Sequence, residues 1–138
     1  MSKPVIGAQL YTVREFCKTI ESTRETFKRV RDIGYTTVQL SGVAPMKDAP
    51  EALAAALREA DLKASCTHIG FDRLCQDPDA VIAEHRLWGA PHIAIGGLSA
   101  DYFQPGGVAR FVQELQAVAP RIRAAGMDFS YHNHNHEF

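Results

Sequence analysis

Met127-Asp128-Phe129-Ser130-Tyr131-His132-Asn133-His134 alternates with a period of two, Met127, Phe129 and Tyr131 opposing Asp128, Ser130, His132 and His134. One face is apolar and the other small or polar, as in a strand that packs on helices with one side and fills a barrel interior with the other. Three earlier segments repeat the asymmetry. Ile6, Ala8 and Leu10 oppose Gly7, Gln9 and Tyr11; Val38 and Leu40 oppose Thr37, Gln39 and Ser41; Ile93 and Ile95 oppose His92, Ala94 and Gly96. A doubly wound open sheet is covered by helices on both faces and reads apolar on both, so the repeated polar face favours an α/β fold of parallel (β/α) repeats in TIM-barrel style. Residues 63–69 form a further strand without clear alternation.

Helical signals separate these strands. After a first strand over residues 5–12, Ser22-Thr23-Arg24-Glu25 has capping-box spacing, Phe27, Val30 and Ile33 make the buried stripe, and Gly34 ends the helix. A second strand at 36–40 precedes Asp48 and Pro50, which start a helix carrying Leu53, Ala56, Leu57 and Ala60. Asp77-Pro78 opens a third helix through Val81, His85 and Trp88, closed by Gly89-Ala90-Pro91. A fourth strand at 92–96 leads to a long helix with Val108, Phe111, Val112, Leu115, Val118 and Ile122 on one side, running through Pro120 to Gly126. Strand starts recur roughly every 30 residues, the length of a βαβ step.

With 138 residues, 46% of them hydrophobic, the chain has material for one core, so residues 1–138 are expected to form a single domain. A full (β/α)8 barrel takes about 250 residues, so about four and a half of eight units are expected here. Such a partial barrel exposes strand edges, which predicts a homodimer or larger assembly. The formal net charge of -1 and the lack of a Lys/Arg run speak against a nucleic-acid partner. Cys17, Cys66 and Cys75 form no CxxC pair, and no signal-like or bilayer-length apolar run is present. These features predict a cytoplasmic protein without a membrane partner, Cys66 lying in the core.

The densest run of ligand-type side chains is Tyr131-His132-Asn133-His134-Asn135-His136-Glu137, where the fifth strand ends. In (β/α)8 enzymes the active site sits at that end of the strands, and imidazole with carboxylate suits Mn, Co, Fe, Ni or Zn, the carboxylate also accepting Mg. His68 occupies the same end of the third strand. Gln9, Tyr11 and Gln39 finish the first two strands on the polar face, where amide and phenol groups can either hydrogen-bond the hydroxyls of a ligand such as a sugar or serve as polar filler of the barrel interior. His85 on a helix and His92 at the opposite strand end read as structural. Gly96-Gly97 and Gly106-Gly107 match no phosphate-binding motif and read as turns.

The chain resembles the sugar phosphate isomerase/epimerase family of xylose isomerase-like barrels. Ile6-Gly7-Ala8-Gln9-Leu10-Tyr11-Thr12-Val13-Arg14 is similar to that family's opening strand, Gly34-Tyr35-Thr36-Thr37-Val38-Gln39-Leu40-Ser41-Gly42 to its second, and Tyr131 to Phe138 to its fifth-strand motif. The resemblance spans the whole chain and the N-terminal half of the family's barrel. It implies a divalent metal (Mn, Mg, Co or Zn) held by Glu, Asp, His and Glu from strands five to eight. Glu137 matches the first ligand and a catalytic position, while His68, His132 and His134 match positions lining the substrate site. Glu137 reaches the mouth only if a bend breaks the alternation after His134. Gln39 stands where relatives often carry Glu. The implied reaction moves a proton next to the carbonyl of a sugar or sugar phosphate through an enediolate. The implied site is incomplete within these 138 residues, and a non-catalytic half-barrel that dimerises as an interaction module is the alternative.

Overall fold

Five parallel strands lie side by side in sequence order in a computed structural model that describes residues 4–137. They are β1 (Ala8–Gln9), β2 (Thr37–Leu40), β3 (Lys63–Ile69), β4 (His92–Ile95) and β5 (Asp128–Tyr131). Helices α1 (Ile20–Ile33), α3 (Pro50–Glu59), α5 (Pro78–Trp88) and α6 (Gly107–Ala124) connect them, with short α2 (Pro45–Asp48) and α4 (Phe71–Gln76) preceding α3 and α5. Helix α1 packs on α3, α3 on α5 and α5 on α6, a single layer on one face of the sheet. The architecture is that of a partial TIM barrel, open at β1 and β5. Among the described residues no helix is long and apolar enough to cross a membrane.

The core fills the space between sheet and helices. Leu10, Phe27, Val38, Leu40, Leu53, Leu57 and Trp88 form one cluster, and Phe71, Leu74, Val81, Ile93, Ile95 and Ile122 a second. Burial of each large apolar side chain contributes about 1.5–3 kcal/mol. The Trp88 indole N–H donates to the Pro50 carbonyl at 3.0 Å, tying α5 to α3.

The weak alternation of β3 has a structural cause. Thr37 pairs with Lys63 and Val38 with Ala64, but Gln39 pairs with Cys66 and Leu40 with Thr67, leaving Ser65 as an extra residue in a bulge. Ser65 Oγ donates to the Val38 carbonyl at 3.1 Å, so the irregular ladder gains a side-chain bond. Beyond the bulge the register holds: Thr67 continues the outer row of Leu40 and Ile93, while His68 pairs with Ala94 and faces the interior. Cys66 therefore faces the interior concavity with Gln39, His92 and Ser130, and the expectation of a core position is corrected.

Other expectations shift at element ends. The first strand is only two residues long, because Leu10–Phe16 winds into 3-10 turns in which Thr12 Oγ1 donates to the Gln9 carbonyl at 2.7 Å. Helix α1 opens at Thr19: its hydroxyl accepts from the Ser22 N–H, and the Ser22 hydroxyl accepts from the Thr19 N–H. Glu25, expected to close the box, instead pairs with Arg29 at 2.5 Å. Ile33 is 74% exposed, and on α6 Val118 and Ile122 are buried while Val108 and Val112 are not.

Candidate functional site

The C-terminal ends of the strands surround a concave mouth of about 380 Å³, lined by Gln9, Tyr11, Ser41, His68, His132 and His134, with Gly42, Gly96 and Gly97 between them. Five of the seven residues singled out from the sequence thus meet at one cavity, although they are spread over more than 120 residues of chain. Tyr11 arrives there from the first 3-10 turn rather than from a strand. Its ring lies against Gly42, where an added Cβ would come within 2.9 Å of it and where φ is +68°, so glycine is required twice over. The Arg14 guanidinium stacks over the ring at 4.2 Å from its centroid.

His68 is the centre of the arrangement. The Gln39 amide nitrogen lies 2.9 Å from its Nε2, and Ser41 Oγ lies 3.1 Å from its Nδ1. Gln39 itself sits lower, on the wall of a second concavity that shares His68 and His132 with the mouth. The His132 ring meets His68 edge-on at 4.9 Å, and His134 lies 4.7 Å from His132, so three imidazoles run across the mouth. Burial, followed by the neighbouring His132 and His134, pushes the His68 imidazole below the ordinary histidine range. Ser41 was legible as part of the polar face but not as a site residue. Its signal is burial to 3% exposure, which no local pattern carries.

A bend does break the alternation after β5, but Glu137 is not among the residues lining the mouth and meets it through His134. β5 ends at Tyr131, and Asn135–Glu137 forms a 3-10 turn that brings Glu137 Oε1 to 3.2 Å from His134 Nδ1. The carboxyl side chain is 6% exposed. Burial opposes its ionisation, but the neighbouring Tyr131 phenol and His134 imidazole outweigh that and hold it below the usual carboxylate range. Burial and the Glu137 carboxylate together push the Tyr131 phenol up to about 12. A carboxylate so held offers charge and lone pairs and is weakened as a proton acceptor. His136 has a side chain outside the described residues.

The two residues read as structural behave so. His85 is fully buried, Nδ1 donating to the Val81 carbonyl at 2.7 Å and Nε2 lying 2.6 Å from Thr67 Oγ1. His92 begins β4, with Nε2 2.8 Å from Ser130 Oγ. Among the described residues no three His, Cys, Asp or Glu side chains converge in a geometry that would hold a metal ion. Glu137 and His134 offer two donors of suitable type, and these do not by themselves make a metal centre.

No protein-family model and no curated protein matches the chain. Solved structures do. A protein of Sinorhizobium meliloti superposes with a TM-score of 0.68 at 20% identity, over 91% of this chain and 49% of its own. An AP endonuclease, family 2, from Brucella melitensis gives 0.69 at 12% identity, over 94% and 55%. A sugar phosphate isomerase/epimerase from Parabacteroides distasonis gives 0.64 at 16% identity, over 97% and 52%. The chain spans about half the length of the structures it matches. Over that length, with its strands in order and its polar groups gathered at their C-terminal ends, it shares the fold of these structures, a partial TIM barrel.

Proposed function

We propose that the mouth is one wall of the active site of a metal-dependent isomerase or epimerase acting on a sugar or sugar phosphate, by moving a proton next to its carbonyl. The observation that carries this reading is the composition of the mouth. Its lining side chains include an amide, a phenol, a hydroxyl and three imidazoles, and neither a lysine nor an arginine. Groups of this kind match the alternating hydroxyl oxygens of a carbohydrate, each able to donate or accept. The fold does not choose the reaction, since it also carries an AP endonuclease. The lining of this wall carries neither lysine nor arginine, which favours a carbohydrate ring over a polynucleotide backbone as the part held here.

In this reading Gln9, Tyr11, His132 and His134 orient the substrate oxygens. Glu137 supplies one carboxylate ligand to a divalent metal (Mn, Mg, Co or Zn), whose remaining ligands lie outside the described residues. Such a metal, when bound, polarises the carbonyl.

Calorimetric titration with Mn²⁺ and with tagatose, fructose and psicose tests the reading. Sugar binding is expected to weaken about tenfold in His132→Ala, the loss of one well-placed hydrogen-bonding group. Mn²⁺ binding is expected to vanish in Glu137→Gln. If the unaltered chain binds neither metal nor ketose at millimolar concentration, the rival reading of a non-catalytic interaction module takes its place.

A further inference from the structure

Neither ring nitrogen of His68 is free. Nε2 faces the Gln39 amide nitrogen at 2.9 Å, and Nδ1 faces Ser41 Oγ at 3.1 Å. Gly96, just past the end of β4, leaves the ring its room: an added Cβ there would lie 3.0 Å from Nδ1. The edge-on His132 ring closes the other approach at 4.9 Å. A histidine held in this way offers no nitrogen to a ligand, so its influence on the mouth passes through its neighbours.

The hydrogen count gives that influence a direction. An amide nitrogen only donates, so the Nε2 it faces is the bare, accepting nitrogen. A neutral imidazole carries one N–H, which therefore sits on Nδ1 and donates to Ser41 Oγ. The lone pair of Ser41 facing the ring is then taken, and its own hydrogen is left over. Ser41 is 3% exposed, and the space it borders is the mouth. We propose that Gln39 and His68 are positioning residues whose hydrogen-bond chain makes the Ser41 hydroxyl a fixed donor directed into the mouth, where it contacts a carbonyl or hydroxyl oxygen of the ligand. That this oxygen belongs to a sugar rests on the function proposed above; the direction of the chain does not.

Two-bond ¹H–¹⁵N correlation spectra of the purified chain, labelled with ¹⁵N-histidine, read the tautomer directly. In the unaltered protein at neutral pH, His68 is expected to carry its proton on Nδ1 with Nε2 bare. Gln39→Glu places an acceptor-only carboxylate beside Nε2 and is expected to draw the proton there. Ser41→Ala removes the acceptor at Nδ1 but leaves the Gln39 donor at Nε2, and is expected to keep the Nδ1–H tautomer. An Nε2–H tautomer in the unaltered protein overturns the inference, because Ser41 would then donate to the ring and have no hydrogen for a ligand. An unchanged tautomer in Gln39→Glu overturns it as well. The unaltered chain alone decides the first point, so the test survives a variant that fails to fold.

For the ligand contact, ketose affinity is expected to fall about tenfold in Ser41→Ala and to return in Ser41→Thr, which keeps a hydroxyl. Undiminished affinity in Ser41→Ala overturns Ser41 as the donor. If no ketose binds while the Nδ1–H tautomer is found, the carbohydrate reading fails and the chain of hydrogen bonds stands, so the two failures are told apart.

Discussion

Thr67 and His85, both fully buried, show how a polar pair is accommodated in the layer between sheet and helices. His85 Nδ1–H donates to the Val81 carbonyl one turn back in α5, which leaves Nε2 to accept from Thr67 Oγ1 on β3. Every polar atom of the pair is thereby satisfied. Thr67→Val keeps the shape and removes the donor, and is expected to cost about 1–3 kcal/mol in urea unfolding, the penalty for a buried group left unpaired. The same burial pushes the His85 imidazole below the ordinary range, and His68 shifts in the same direction for the same leading reason. The unfolded chain therefore takes up these protons before the folded one does. Stability is expected to be full above about pH 6.5 and to decline as pH falls through that value toward the lower folded-state values. A denaturation midpoint that rises on acidification from pH 7 to about 5.5 would contradict this. His85 was legible as structural because a lone histidine on a helical stripe beside Trp88 faces the core, whereas Ser41 was not legible as a site residue, since only the approach of β3 to β2 puts it against His68.

At the level of elements, local chemistry decides boundaries. Thr19→Ala removes the side-chain acceptor for the Ser22 N–H, and is expected to lower stability by about 1 kcal/mol, measured by urea unfolding. The same substitution at Thr12 leaves α1 untouched and serves as the comparison. The sequence reading starts the helix at Ser22-x-x-Glu25, whereas the structure uses an earlier start at Thr19, with Ser22 in the place that Glu or Gln usually takes. The earlier one prevails because it brings Ile20 onto the core and lets the Thr26 hydroxyl, one turn further on, reach the Phe16 carbonyl at 3.0 Å. The stripe Phe27, Val30, Ile33 fails for a geometric reason. Six residues at 3.6 per turn leave Ile33 about 120° away from Phe27 around the helix, which turns it to solvent. Strand β3 was placed at its observed ends, Lys63–Ile69, and the Asp77 cap was read correctly, its carboxylate accepting from the Ala80 N–H at 3.0 Å. The alternation of β3 could not be read, because one extra residue at Ser65 shifts the period within the strand. Short α2 and α4 carry no periodicity long enough to announce themselves.

Among the described residues the sheet ends in two edge strands, β1 and β5. Beside the first, Val5, Ile6 and Ile33 are exposed and border one groove; on α6, Val108 and Val112 are exposed one turn apart. Unpaired backbone and apolar surface of this kind favour association. We propose that the chain forms homodimers or larger assemblies, with sedimentation velocity expected to show a mass that rises with concentration and thermal unfolding a midpoint that rises with it. A concentration-independent monomer overturns that. Val112→Glu is expected to weaken association if the α6 flank takes part, and Ile6→Glu if the β1 flank does. The strand order β1-β2-β3-β4-β5 has a further consequence, for how the chain is made. Each strand pairs with the one synthesised just before it, so a ribosome delivering the chain from its N-terminus always supplies a new strand to an edge that already exists. Among the described residues each strand waits only for its immediate predecessor, so the crossovers of roughly 30 residues that make parallel sheets slow to form can close one at a time.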